Sequence, residues 1–453
     1  MLKTIIDYIR KLAEYPSILL RDKPVKKQLF KDSLGSLLIN IGNKFFVLLS
    51  GVLLVRILGK EEYGIYSYAL SLIFVMIIPA EFGLSNLVVR ETAQGISKGN
   101  PGTISGVWRW SLRITLLLCV ILIVISGVAI IWGVRWFSRL EIMPFLWALS
   151  LMPFQALVQL TSAALRGQKH IILGQLPDLL ILPGLLAVLF LVLNLTSPDF
   201  LTATSSMALR SLSTVIAFAF SALFLLRNTP QFIQTAKPVF QSRRWLSSAL
   251  PLGLSSGLGM VKSRITILLM GFFVSAGQIG TFQVAVSSAA LAGLVLQANN
   301  ATLAPRFASL YVQGKKQALQ RLVTISTRVV LAFNLIITII FIVFGKQLLS
   351  FVFGPDLIEA YPAILIMLTG QLINSFAGSV VFLLNMTGYE NDVMKVIGLS
   401  SLANAIITLF LTPIWGILGG AIATAVTLII AQIIMAVLVY KRLSVVSHAF
   451  KRI

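Results

Sequence analysis

LLVRILGKEEYGIYSYALSLIFVMIIPAEFGLSNLVVRETAQ, residues 53–94, holds the end of one apolar stretch, a short charged turn from Lys60 to Glu62, and a second apolar stretch that closes on Arg90. The same alternation runs along the whole chain. Working outward from this stretch places spans near 35 to 57, 65 to 89, 107 to 133, 144 to 165, 171 to 195, 201 to 226, 247 to 273, 279 to 303, 322 to 344, 362 to 386, 393 to 412 and 416 to 440. Most exceed the roughly 20 residues that a ~30 Å hydrocarbon core requires. Backbone groups in lipid must bond within their own segment, and these segments lack strand alternation, so the expected fold is an all-α membrane protein with about 12 transmembrane helices.

Composition agrees: of 453 residues, 57% are hydrophobic and 11% charged, with mean hydropathy +0.92, outside the range of soluble globular chains. A net charge of +22 would suggest nucleic acid in a soluble protein. Here the charges sit on alternate loops, about 28 Lys and Arg on one set and about 5 on the other. The positive-inside rule makes the first set cytoplasmic, both termini included. Topology therefore explains the basicity, and no nucleic-acid partner is expected.

Cys119 is alone, so no intrachain disulfide forms, and His170 and His448 have no Cys or carboxylate cluster near them in sequence, which argues against zinc. No apolar core of a cleavable signal precedes the first span. Residues 1–34 instead carry Leu2, Ile5, Ile6, Ile9, Leu12 and Ala13 at helical spacing opposite Lys3, Asp7, Arg10, Lys11 and Glu14. That pattern suits an interfacial helix on an anionic leaflet, and equally a mobile basic tail.

The chain also resembles itself. Gly64, Tyr66 and Ala69 correspond to Gly280, Phe282 and Ala285, Arg90 to Arg306, and Gly167 to Gly388. Two six-helix lobes are expected, 35–230 and 247–440, joined by a basic linker, 231–246, and followed by a basic tail, 441–453. Six spans per half preserve orientation, giving a parallel repeat about the membrane normal, a plan suited to alternating access.

Several spans carry charges that lipid does not tolerate. LSSALPLGLSSGLGMVKSRITILLMGF, residues 246–272, contains Pro251, five serines, Lys262 and Arg264. A central Lys or Arg costs ~2.5 to 3.5 kcal/mol, against ~0.3 to 0.6 gained per large apolar residue. Ser255, Gly259, Lys262 and Thr266 share one face, while Arg264 points elsewhere. The first span offers Ser36, Asn40, Asn43 and Lys44 on a comparable face, and the eighth adds Gln283, Ser287, Gln297 and Asn300. Spans one, seven and eight are the expected cavity wall.

Lys44, Lys262, Arg264 and Arg210 can bind an anionic cargo, pair with buried acids, or snorkel to the interface. Arg328, near a span end, is expected to snorkel. Glu81 and Asp178 are the main acids within the spans, too few to pair every cation. Either acid can carry a proton or sodium ion in coupled transport; the alternatives are a turn-end acid and a satisfied helix-break residue. No phosphate loop, nucleophile motif or metal-ligand spacing appears, so no enzyme and no cofactor are expected beyond an H+ or Na+ gradient.

The quoted stretch resembles the opening of O-antigen (Wzx-type) polysaccharide flippases of the multidrug, oligosaccharidyl-lipid and polysaccharide exporter superfamily. The resemblance lies in Arg56, Ile57, Leu58, Gly59, Glu61, Glu62, Tyr63, Gly64, Phe82, Gly83, Leu84 and Arg90, and continues collinearly to GILGGAIAT at 416–424. It implies a fold like that of the superfamily's multidrug (MATE) exporters. It also implies translocation of an undecaprenyl-pyrophosphate-linked glycan from the inner to the outer leaflet of the plasma membrane. Lys44, Lys262, Arg264 and Arg210 would then hold the pyrophosphate and nearby sugar, with Asn40, Gln283 and Ser287 on sugar hydroxyls. Polysaccharide polymerase and chain-length machinery become expected partners. The alternatives are a peptidoglycan-precursor flippase, a drug or cation antiporter of the same superfamily, and a non-transporting scaffold.

Overall fold

The computed structural model describes residues 23–132 and 142–449, so the interfacial helix expected before residue 15 lies outside the described residues. Every regular element among them is helical. The chain runs through α1 (Lys23–Glu81), α2 (Leu84–Ser97), α3 (Pro101–Ile131), α4 (Ile142–Gly167), α5 (Ile171–Thr196) and α6 (Ala203–Asn228). It continues through α7 (Ser242–Met270), α8 (Ala276–Val312), α9 (Lys316–Phe353), α10 (Tyr361–Ala377), α11 (Val380–Met386), α12 (Glu390–Trp415) and α13 (Ile417–Leu443). Ten helices among the described residues are long and apolar enough to cross a membrane. One of them, Leu38–Glu81, covers 44 residues, about twice a single crossing, and is interrupted at Gly59 (φ 71°). The polar α7 is not among the ten, in keeping with its serines, glycines and two cations.

The second span, expected over 65–89, does not run through. Phe82 and Gly83 both adopt left-handed backbone, φ 43° and 71°, which ends α1 and lets α2 start at Leu84. Apolar patterning does not register such a break, because apolar residues such as Leu84, Leu87 and Val88 continue beyond it. The tenth span is broken in the same way at Gly378 (φ 73°), separating α10 from α11. In the fifth, Pro177 removes a backbone donor and residues Pro177–Ile181 take a π turn carrying Asp178.

α4, α6 and α5 pack with α1 and α2, while α12 and α13 pack with α7 and α10, and α9 packs with α10 and α8. The two sets of helices meet along the second half of α1, which receives both α7 and α8. The α1–α7 seam is antiparallel: Gly83 abuts Gly253, Ile78 abuts Gly257, and Tyr68 abuts Gly271. At the other end of the seam a Cβ on Gly64 would fall 1.7 Å from the Ala276 carbonyl oxygen, and one on Gly280 2.1 Å from that of Lys60. Helices in lipid gain most from such close backbone approach, since lipid tails are as apolar as the side chains they replace. The face bearing Gly64 and Gly280, away from the termini, is the far face. There the Arg56 Nε donates 2.8 Å to the Val352 carbonyl and its Nη2 to that of Phe351, and Lys60 pairs with Glu359 at 3.3 Å.

The opposite, terminal face carries two straps. Val239 in the linker donates to Gly102 at 2.9 Å, and buried Trp245 lies against Trp110 with ring centroids 5.6 Å apart. After α13, residues 445–449 run back along α9. Gln320 donates 2.6 Å to the Val446 carbonyl and accepts 2.8 Å from its N–H, Thr327 donates to Ser447, and Arg328 Nε donates 2.9 Å to Ala449. Arg328, expected to snorkel, is instead held by backbone of the chain's own tail.

The Cβ built on Gly277 lies 3.3 Å from Glu61 Cγ, so the two positions are in van der Waals contact across the far face. Glu61→Cys with Gly277→Cys is expected to cross-link on mild oxidation, and adding Gly64→Val is expected to cut the yield, read as a mobility shift on non-reducing gels. No cross-link in the double-cysteine protein would refute the far-face contact.

Candidate functional site

Where α1, α6 and α7 converge, two cations meet one aromatic ring. The guanidinium carbon of Arg264, on α7, lies 5.0 Å from the Phe74 ring centroid, and that of Arg210, on α6, lies 5.8 Å from it. Arg210 Nη1 donates to the Tyr66 hydroxyl at 3.2 Å. Arg264 also feels the charge of Arg210 and the hydroxyls of Tyr63 and Tyr66. Tyr63 is buried near Ser67 and near Ser287 on α8, and Gln283 Nε2 donates to Ser287 Oγ at 3.3 Å. Residues from both halves of the chain therefore line one locus.

Its charge is uncompensated by acids. The three ion pairs found among the described residues are Lys60–Glu359, Arg90–Glu91 and Arg442–Asp392, and none involves Arg210, Arg264, Lys262 or Lys44. A ring face attracts a cation by roughly 0.5–2 kcal/mol, which offsets part of the repulsion between two guanidiniums. Within the same locus Arg210 Nε and Gln283 Oε1 are buried without a hydrogen-bond partner. Such orphaned atoms cost about 1–3 kcal/mol each; the Arg210 donor suits an anion, whereas the Gln283 oxygen, an acceptor, calls for a donor such as a hydroxyl.

The remaining candidates fall elsewhere. Lys262 is half-buried one turn from Thr266, whose hydroxyl donates 2.8 Å to Asn404 on α12 and lies 3.5 Å from Thr424 on α13. That face of α7 thus turns into the second-half helices, and Arg264, off that face, is the one that reaches Arg210. The side chain of Ser255 lies outside the described residues. Lys44 is exposed; beside it Asn43 donates 2.7 Å to the Leu179 carbonyl on α5, Ser36 donates to Gln175, and Asn40 donates to Ser36 on its own helix. The polar residues of the first span are thus tied mainly to α5. On α8, Gln297 is exposed and Asn300 is buried.

Phe74, Tyr66 and Tyr63 were not among the sequence candidates. The available signal was the spacing of Tyr63, Ser67 and Phe74, which at i, i+4 and i+11 share one helix face.

A second polar cluster lies among α1, α4 and α5. Asp178 accepts from Gln155 at 2.9 Å and Gln159 at 3.0 Å, one amide on each oxygen. Glu81 and Arg166 lie close enough to feel its charge and each other's. The two glutamines are one helical turn apart on α4, which is why a single carboxylate can take both.

Residues 29–311 match the family model described as "Polysaccharide biosynthesis protein". Among curated proteins the chain is similar to the probable low-salt glycan biosynthesis flippase Agl15 of Haloferax volcanii, 24% identical over 388 residues, covering 84% of this chain and 77% of that protein. Among solved structures it superposes on an inward-facing multidrug resistance MATE family transporter of the MOP superfamily with TM-score 0.74, at 16% identity and covering 91% and 98% of the two chains. It also superposes on the lipid II flippase MurJ, inward closed, with TM-score 0.70, 13% identity and coverage of 90% and 87%. The all-helical, multi-pass MATE-like fold expected from the sequence is the one observed.

Asp178→Ala removes the acceptor shared by Gln155 and Gln159 and is expected to destabilise the folded protein by about 1–3 kcal/mol. Asp178→Asn, which keeps one acceptor, should lose less. Thermal unfolding in detergent ranks the two; equal midpoints for Asp178→Ala and wild type would contradict the clamp.

Proposed function

The chain belongs to the polysaccharide biosynthesis protein family, a membrane transport family within the MOP superfamily, and on that premise we propose that it flips a lipid-linked oligosaccharide across the plasma membrane. The cargo head is an undecaprenyl pyrophosphate bearing the glycan, taken from the cytoplasmic leaflet and released in the outer one. In this reading the chain crosses the membrane twelve times, with both termini cytoplasmic and two lobes, 35–230 and 247–440, that rock about the α1–α7–α8 seam. No catalytic step is involved.

The observation that carries the reading is the pair Arg210 and Arg264, supplied by opposite halves, stacked on Phe74 and unpaired with acid. A pyrophosphate offers several oxygens to such a pair and makes charge-assisted hydrogen bonds with it. Tyr66, Gln283 and Ser287 are placed for polar contacts nearby. Lys44, Lys262 and Asn40, away from that locus, meet the cargo on its path rather than at the seam. The far face is closed by Gly64, Gly280 and the Arg56 and Lys60 contacts, and the seam is close-packed toward the terminal face as well, where Gly83 abuts Gly253.

The MATE-like fold is shared with a drug exporter, yet a cationic drug would meet two guanidiniums here, so the charge of the locus favours the anionic lipid. Glu81 and Asp178, clustered with Arg166, are the candidates for coupling to H+ or Na+. Polymerase and chain-length proteins would act on the released glycan.

Arg210→Gln and Arg264→Gln, each checked for membrane insertion, are expected to lower glycan export in flippase-deficient cells by about tenfold or more, the worth of one charge-assisted hydrogen bond. Lys44→Gln and Lys262→Gln should lower it less. Full export by both arginine variants would end the assignment of the pair. For coupling, Glu81→Gln and Asp178→Asn are expected to blunt the dependence of export on the ion gradient; unchanged dependence in both would remove them.

A further inference from the structure

The far face holds an open, shallow cavity lined by Arg56, Lys346, Gln347, Ser350, Phe351 and Ile358. Its lining joins two cations and two neutral polar residues to two apolar ones and includes no acid. Arg56 comes from α1, whereas the other five come from α9 and the turn that follows it. Lys346 is exposed, with its ammonium 5.6 Å from the Tyr361 ring centroid, and Tyr361 is itself anchored by a 3.0 Å hydrogen bond to the Ile342 carbonyl. The nearby Glu359 is engaged by Lys60. Around the cavity α9 exposes Ile342, Val343, Phe344 and Phe351, an apolar surface.

We propose that this cavity binds the phosphate of an amphiphilic lipid at the far face, with Arg56 and Lys346 on the phosphate, Gln347 and Ser350 beside it, and the hydrocarbon along Phe351 and Ile358. Two cations beside an apolar flank can hold a phosphate by charge-assisted hydrogen bonds while the chain lies along the flank. Occupancy has a mechanical consequence. Arg56 now donates to the Phe351 and Val352 carbonyls, the orphaned acceptors at the C-terminal end of α9, and so ties the first half of the chain to the second. Hydrogen bonds to a charged acceptor are roughly twice as strong as those to a neutral one. A phosphate in the cavity therefore draws Arg56 off α9 and loosens the far-face seal.

Two sources supply that chemistry, an anionic phospholipid of the membrane and the lipid pyrophosphate leaving the protein. Only the second, as an exit site, rests on the proposed flippase reading; the binding site itself does not.

Native mass spectrometry of the purified full chain with dioleoylphosphatidylglycerol, dioleoylphosphatidylcholine and undecaprenyl pyrophosphate tests the site. Lys346→Gln, which breaks no contact between the halves, and Arg56→Gln are each expected to weaken binding of phosphatidylglycerol or undecaprenyl pyrophosphate by about tenfold. Lys169→Gln, on the terminal face, should not. Weakening for undecaprenyl pyrophosphate alone marks an exit site, and weakening for phosphatidylglycerol alone marks a membrane-lipid site. Affinities unchanged in Lys346→Gln for both lipids would overturn the proposal. The Glu61→Cys, Gly277→Cys cross-link should form more slowly when the binding lipid is present, and an unchanged rate would refute the link to the seal. Both readouts are independent of export, so loss of export in Arg264→Gln with normal lipid binding, or the reverse, separates this site from the central one.

Discussion

Bringing two guanidiniums from the two halves of the chain to one ring is unfavourable, because like charges repel in a medium that screens poorly. Phe74 and the Tyr66 hydroxyl offset only part of that. The rest of the architecture follows from supporting this arrangement. α1 must present an aromatic face to both α6 and α7, and α7 must approach closely enough for Arg264 to reach it. The small residues of α7 against Phe82, Ile78 and Tyr68 allow that approach.

Much of the fold could be read from the letters alone, because length and apolarity are sufficient to define a crossing. The weakness of the seventh span as a membrane helix was equally legible, since its serines and cations carry known insertion costs. Which side chains would meet was harder. Periodicity fixes which residues share a face of one helix but not which neighbour occupies that face. Lys262 and Thr266 share such a face, and it turns to Asn404 and Thr424; Arg264, off it, became the central residue. Phe74 went unnoticed because a phenyl ring in an apolar span carries no polar mark, and its role appears only when two cations arrive from distant parts of the chain.

The breaks were hidden for a related reason. Left-handed backbone at Phe82 and the π turn after Pro177 alter direction without altering hydropathy. Both lie close to the acids Glu81 and Asp178, so the irregular backbone coincides with the polar cluster of the first-half helices. A distorted helix lets a carboxylate turn towards neighbours that a straight one would miss, as the two glutamine amides on Asp178 illustrate.

The strap at residues 445–449 bears on how the protein is made. Gln320 and Arg328 take their partners from residues 121 to 126 positions later in the chain. At about 5–20 residues per second, ribosomes need on the order of ten seconds to supply them. Throughout that interval α9 enters the bilayer without these bonds, and a late-arriving peptide must thread back along a helix already inserted. Closing the strap thus becomes a late step in assembling the whole second half, one that waits on residues 445–449 rather than on α9 itself.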